Sequence, residues 1–423
     1  MAPKAMAYTL LCTILGCALC ACGNDDGAAQ DEGPIAGSDA PAQGDGDATR
    51  PAAGDGDGDA IATAGDGDGD EPVDTGGDDT GDDAGDDGSM AGDGDDHPAT
   101  DDQDLTDPAP GEYALRAGLL HANSEMAVAE LDGLIYVIGG YPSTRQVQTT
   151  VQVYDPATET WDEAPPLPVA IHHPVVVGVE GKLYSLGGQG AGANGSAANV
   201  DLDLTLAYDP STDEGWVDLE PDPPMTARGA GAAGVIGDRI YVVGGRPPAG
   251  NAFEVYDISD NTWEALEPLP QVQNDRNHLA ATAIDGKIYV AGGRYDSGSF
   301  TGPITDALDI YDPTTGEWSS GAPMPRPRGG VNGVAAFGCF HVFGGEASNI
   351  SEPNNVFPDH DVYDPSADEW TSVAPMPTPV HGVTGAPFID GLIYMPGGGT
   401  SSGGSSGSTI FQVYRPALRC DGS

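Results

Sequence analysis

The sequence predicts an all-β chain of six repeated four-stranded units behind a long unfolded N-terminal segment. Three observations carry this. A double glycine closes an apolar run six times, at Gly139-Gly140, Gly187-Gly188, Gly244-Gly245, Gly292-Gly293, Gly344-Gly345 and Gly397-Gly398, at intervals of 48 to 57 residues. Between copies comes Tyr-Asp and then tryptophan: Tyr154 and Trp161, Tyr208 and Trp216, Tyr256 and Trp263, Tyr311 and Trp318, Tyr363 and Trp370. No segment has the periodicity and length of a core helix.

The N-terminus carries one lysine, Lys4, and then an uncharged run too short for a membrane span, which suits an export signal. It ends at Leu19-Cys20-Ala21-Cys22, which resembles the lipobox of bacterial lipoproteins, in which the last cysteine is lipidated. Cys22 is the expected lipidation site, and Cys17, after Ile14-Leu15-Gly16, competes with it. The organisation expected is a signal peptide over 1–21, an acidic linker over 22–110 and a folded domain over 111–423. The location implied is the bacterial cell envelope, at the outer membrane or cell surface, or outside the cell if the chain is not lipidated.

The linker holds Gly, Asp, Ala, Pro and Thr, with Arg50 its single Lys or Arg, and too few apolar residues to offset chain entropy. It is expected to be disordered and extended by self-repulsion. Its Asp55-Gly-Asp57-Gly-Asp59 run has the alternating oxygens of a calcium loop, but Ala60 and Asp66 stand where an EF-hand needs glycine and a bidentate glutamate. Diffuse cation condensation is the reading. A net charge of -52 argues against nucleic acid or an anionic membrane surface as a partner, leaving a lipid anchor as the only membrane contact expected.

Within each unit an apolar first strand such as Met126-Ala-Val-Ala-Glu-Leu is followed by a tight turn, here Asp132-Gly133, and a second strand ending in Gly-Gly. A third strand ends in Tyr-Asp-Pro and a fourth starts at tryptophan, joined by a turn in which proline fixes φ and Asp and Thr bond the backbone. The double glycine, the Tyr-Asp-Pro and the tryptophan at a tyrosine-to-tryptophan spacing of 7, 8, 7, 7 and 7 resemble the kelch repeat. That resemblance implies a β-propeller of six blades, with the glycines, tyrosines and tryptophans as packing residues.

The sixth unit has Gly397-Gly398 and a third strand at Ile410–Tyr414 but no tryptophan strand. Tyr113 lies as far before Gly140 as Trp161 lies before Gly188, so the N-terminal strand is expected to complete the last blade and remove its open edges. In this topology Cys339 and Cys420 come to one side of neighbouring blades. A disulfide between them is expected, with two free thiols as the alternative.

The opposite face carries the connections between second and third strands, which vary most in length, and is the expected binding face. The slot before each first strand reads Asn123, Ile171, Arg228, Arg276, Arg328 and His381, and the residue after the glycines reads Tyr141, Gln189, Arg246, Arg294, Glu346 and Gly399. Arg228, Arg246, Arg276, Arg294 and Arg328 therefore fall on this rim with His173, His278, His381 and Glu125. Kelch propellers commonly bind ligands on this face, and the functional reading is an anion grip by guanidinium forks. The competing reading is that the arginines pair with local carboxylates. No metal or other cofactor is expected, because ligands on separate blades of a wide ring rarely converge. His341 fills the repeat's tyrosine slot and reads as core.

These observations favour a monomeric surface lipoprotein whose propeller binds a protein or an acidic glycan. The alternative is an enzyme, an isomerase or epimerase of an acidic sugar, using Arg, Glu and His on the same rim. The copper-oxidase version of the fold is excluded, since Cys339 lies on the other face. A deep polar axial pocket favours the enzyme and a broad shallow rim favours binding.

Overall fold

A computed structural model describes residues 106–246, 250–270, 276–295 and 301–422. Cys17, Cys22 and the acidic linker as far as residue 105 lie outside the described residues. The described chain forms six antiparallel sheets of four repeat strands. The first contains Met126–Leu131, Leu134–Ile138, Val151–Asp155 and Thr160–Ala164. The fourth, Ala280–Ile284, Lys287–Ala291, Leu308–Asp312 and Glu317–Ser320, shows the same order. Asp132 and Gly133 both have left-handed backbone, φ 51° and 80°, as a two-residue hairpin turn requires. In the next turn, Asp155 Oδ1 accepts from the Ala157 amide at 2.8 Å.

The sixth sheet holds Phe388–Ile389, Leu392–Pro396, Phe411–Tyr414 and, as its outer strand, Tyr113–Leu115. Tyr113 pairs with Tyr414 and Leu115 with Gln412. The N-terminal strand thus completes the last sheet. The tryptophans show why that register is favoured. Trp161, Trp216, Trp318 and Trp370 donate through Nε1 to carbonyls just beyond the preceding sheet's outer strand, those of Ala117, Pro165, Glu267 and Ala322, at 2.7 to 3.0 Å. Ala117 follows the Tyr113 strand, so Trp161 finds there what Trp216, Trp318 and Trp370 find.

Core packing is repetitive in the same way. Tyr154 meets Phe411 of the sixth sheet edge-on at 4.8 Å, and Tyr311 meets Phe253 of the third sheet at 4.7 Å. Aromatic rings thereby fill the wedge between successive twisted sheets.

The second glycine of each pair ties sheet to sheet. Its amide donates to the carbonyl before the next sheet's first strand: Gly140 to Ile171, Gly188 to Arg228, Gly245 to Arg276, Gly293 to Arg328, Gly345 to Val380 and Gly398 to Asn123. The last of these returns to the start, so the sheets close into a ring. A side chain has no room here, since a Cβ on Gly140 would lie 2.5 Å from the Ser124 carbonyl oxygen.

Cys339 and Cys420 are joined by a disulfide with Cα atoms 5.1 Å apart. It ties the C-terminal segment to the hairpin turn of the fifth sheet, where the Cys420 amide also donates to the Phe337 carbonyl at 2.8 Å. The first strands surround an axial cavity of ≈360 Å³ lined largely by Val, Ala and Gly.

Candidate functional site

One residue per sheet stands where the chain turns into its first strand: Glu125, His173, Ala230, His278, Gly330 and Gly382. All six have left-handed backbone, with φ between 53° and 69°. For the four that are not glycine this conformation is costly, and the surrounding hydrogen bonds hold it. His173 donates to the Glu125 carbonyl, Ala230 to His173, His278 to Ala230 and Gly330 to His278, at 2.7 to 3.0 Å, and Glu125 donates to Gly382 at 2.5 Å. Neighbouring members are one hydrogen bond apart, so the inner ring is narrow.

That narrowness corrects the expectation that side chains on separate blades stay apart. One ligand atom each from Glu125, His173 and His278 lie within 4.8 Å of one another, and so do those of Glu125, Glu346 and His381. His173 Nε2 is 2.8 Å from Glu125 Oε2, in ion-pair contact but off the line of a hydrogen bond. His381 Nδ1 stands 3.8 Å from Glu125 Oε1 and 3.6 Å from Glu346 Oε1, and Arg294 holds Glu346 at 2.7 Å.

Burial would raise the Glu125 carboxyl, but His173, His381 and Arg294 outweigh it and hold the group well below the usual carboxylate range. The same contest, with His381 and Arg294 prevailing, lowers Glu346. Burial pushes His278 far down, helped by Arg294, and takes His172 to about 3. The cluster thus sets two carboxylates, Glu125 and Glu346, against the Arg294 guanidinium and the imidazoles of His173, His278 and His381.

Arg228, Arg276 and Arg328 do not reach the rim. They are 1%, 0% and 0% exposed and turn inward to Glu254, Asp309 and Asp361 on the third strand of their own sheets. Arg228 also donates to the carbonyls of Gly244 and Ala252, at 3.2 and 3.1 Å. These three follow the competing reading, pairing with local carboxylates, and tether the sheet's inner end to its third strand. Sheet two does the same job with Ile171 and Leu206, both 0–1% exposed. Arg294 is likewise enclosed at 2% exposure. Arg246 alone of the five is only partly buried, and its Nη1 donates to Asn199 at 2.9 Å.

The carboxylate partners escaped the sequence reading, yet they share one slot, two residues before the repeat tyrosine, which reads Gln152, Leu206, Glu254, Asp309, Asp361 and Gln412. Charge appears there in the three units that carry an arginine before the first strand.

The cavity among Glu125, His173 and His278 measures ≈10 Å³. Small-molecule sites run to about 300–1,000 Å³, so this cluster does not receive a sugar, and the isomerase reading has no support there.

The outer part of this face has relief. The connection of sheet two folds into a hairpin, Gln189–Ala191 with Ala197–Asp201, which joins Ile171–His172 in a separate three-stranded sheet. It is braced by the connection of sheet one, through the Gln146 and Ser196 bridge and the Val147 amide on Gly195. Val200 on the hairpin's outer strand is 50% exposed.

A closed ring of four-stranded antiparallel sheets, with tryptophans between them and long connections on one face, defines a β-propeller. A family model described as the KLHDC2/KLHL20/DRC7 Kelch-repeats domain matches residues 172–398, and a Kelch motif model matches 122–168. The chain belongs to the kelch-repeat family. It is 31% identical over 336 residues to Kelch-like protein terF of Aspergillus terreus, covering 74% of this chain and 69% of that one. It is 32% identical to Kelch-like protein 35 of Mus musculus (44% and 29% covered) and 27% identical to Kelch-like protein 23 of Homo sapiens (58% and 40% covered). The chain therefore spans well under half the length of these two animal relatives.

Proposed function

We propose that this chain is a six-bladed kelch propeller that binds a protein partner on the face carrying the second-to-third strand connections. One observation carries the reading. The sheet-two hairpin stands on that face as a braced ridge with the outer strand Ala197–Asp201 and its exposed Val200 presented at the edge. Edge strands with open backbone groups and an apolar side chain are docking elements for extended segments of other proteins. Kelch repeats commonly act as protein-binding modules, and the interior of the face is packed shut.

An acidic glycan is a second reading, carried by Arg246 beside Asn199 at the base of the same hairpin. The three buried arginines contribute nothing to it. In this account the mature chain is a monomer anchored in the cell envelope by lipid on Cys22, and the acidic linker holds the propeller away from the membrane.

The experiment is chemical crosslinking of the full chain at the surface of the cells that make it, with the crosslinked peptides identified by mass spectrometry. Partner peptides joined to segment 189–201 are expected, and Val200→Asp should abolish them without altering the unfolding midpoint. Crosslinks confined to the opposite face, or unchanged in Val200→Asp, would overturn the reading. An acidic-glycan array probed with the wild type and Arg246→Ala separates the second reading.

A further inference from the structure

We propose that Glu125, His173 and His278 form a site for one divalent transition-metal ion of the zinc class, held on the propeller axis. The three side chains come from different sheets and offer Oε2 and two imidazole nitrogens around a cavity of ≈10 Å³, about the space of one water. Two imidazoles and one carboxylate with a fourth position open make a familiar zinc donor set.

The proton positions around the triad prepare both imidazoles to ligate. A carbonyl oxygen only accepts, so His172 Nε2, 3.0 Å from the Ala198 oxygen, carries its hydrogen. His172 Nδ1 and His173 Nδ1 stand 2.5 Å apart and share one hydrogen, and the ligating form is the one in which His173 Nδ1 donates it. The lone pair of His173 is left on Nε2, which points at Glu125 from 2.8 Å and has no aligned hydrogen bond. In the same way His278 Nδ1 donates to Asn277 Oδ1 at 2.5 Å, leaving Nε2 without a hydrogen-bond partner among the described residues. A lone pair facing a carboxylate at that distance is repulsive unless a cation lies between them.

These outer contacts are the kind that fix ring orientation in metal sites. His172 and Asn277 hold the imidazoles, and Glu346 meets the charge of Arg294. Ligands about 2.1 Å from a tetrahedral metal stand about 3.4 Å apart, so on binding the His173–Glu125 pair opens from 2.8 Å while His278 draws in from no more than 4.8 Å. Ala230, Gly330 and Gly382 fill the other ring positions with little or no side chain, which leaves the centre clear. Leu279, Val331 and Thr384 line both this cavity and the axial one, giving the ion a route in and the fourth ligand position a direction.

The test is metal binding by the full chain after chelator treatment and dialysis, using Zn(II) for stoichiometry by elemental analysis and Co(II) for its visible spectrum. One equivalent of Zn(II) and an intense tetrahedral Co(II) absorption are expected. Binding should weaken about a hundredfold or more in His278→Ala and in the near-isosteric Glu125→Gln, and about 10–100-fold in the outer-contact variant His172→Ala. The exposed-residue variant His121→Ala should bind as wild type. If His278→Ala does not fold, Glu125→Gln and the wild-type titration still decide. No stoichiometric binding by the wild type means that a proton, not a metal, bridges Glu125 and His173, and overturns the proposal. Binding that survives both Glu125→Gln and His278→Ala overturns the assignment of the site.

Discussion

Arg276 is fully buried, and its guanidinium meets Asp309 and the carbonyls of Gly292 and Ala307. Removing one partner of such a pair strands the other in a medium that cannot solvate it. Arg276→Ala should therefore cost about 3–5 kcal/mol in equilibrium denaturation. Replacing both partners with apolar groups of similar volume is different. The double variant Arg228→Ile with Glu254→Leu installs the pair that sheet two already uses, Ile171 and Leu206, and should lie within about 1.5 kcal/mol of wild type. A large loss in the double variant would mean that the arginine bonds to Gly244 and Ala252 matter more than the ion pair. The arginines were visible in the sequence and their roles were not, because each carboxylate lies on another strand of the sheet, 26 to 33 residues away. Comparing the slot before the tyrosine across all units would have exposed the pairing.

At the scale of a single sheet, the fifth departs from its neighbours. His341 sits in the tyrosine slot, completely buried, with Nδ1 2.9 Å from His360 Nε2, and Tyr113 closes the set at 2.7 Å from His360 Nδ1. Burial takes His341 down to about 3 and His360 well below its ordinary value. Both are bases whose folded pKa is depressed, so the unfolded chain takes up their protons first. Their contribution to stability is then fully present above about pH 6.5 and is lost as the pH falls, for His341 through about 3. Thermal unfolding should show this slope, and His341→Tyr with His360→Phe should reduce it, leaving the share of His172 and His278, since Tyr241 with Phe253 and Tyr394 with Phe411 fill the same slots in other sheets. An unchanged pH profile would place the acid sensitivity elsewhere. The strand pattern of every sheet was legible, since Gly-Gly, Tyr-Asp and Trp are fixed by packing rules that repeat. The inner ring was not, because its width depends on left-handed backbone at Glu125, His173, Ala230 and His278, a conformation that no side chain of these types announces.

Over the whole molecule, the ties that close the ring include the Tyr113 strand on Tyr414, the Gly398 amide on Asn123 and the Met126 strand on Val383, and the disulfide fastens the C-terminal segment to the fifth sheet. The disulfide closes a loop of 81 residues, and Cys420→Ser should lower stability by about 2–4 kcal/mol, an effect that reductant reproduces on the wild type and not on the variant. Deleting residues before Ala117 should expose the Phe411–Tyr414 edge and lead to association, read by light scattering. A ring tied in these ways is a rigid base for the connections on one face, and that links fold to function here. The interior of the face is filled by ion pairs and imidazoles, and under the proposed function recognition falls to the ridge built by segment 189–201. The most direct measurement is the dissociation constant of the partner identified by crosslinking, for wild type, Val200→Asp and the buried-pair variant Arg228→Ile with Glu254→Leu. The account predicts a loss of tenfold or more in the first variant and wild-type affinity in the second. Intact affinity in Val200→Asp, with loss in the buried-pair variant, would contradict it.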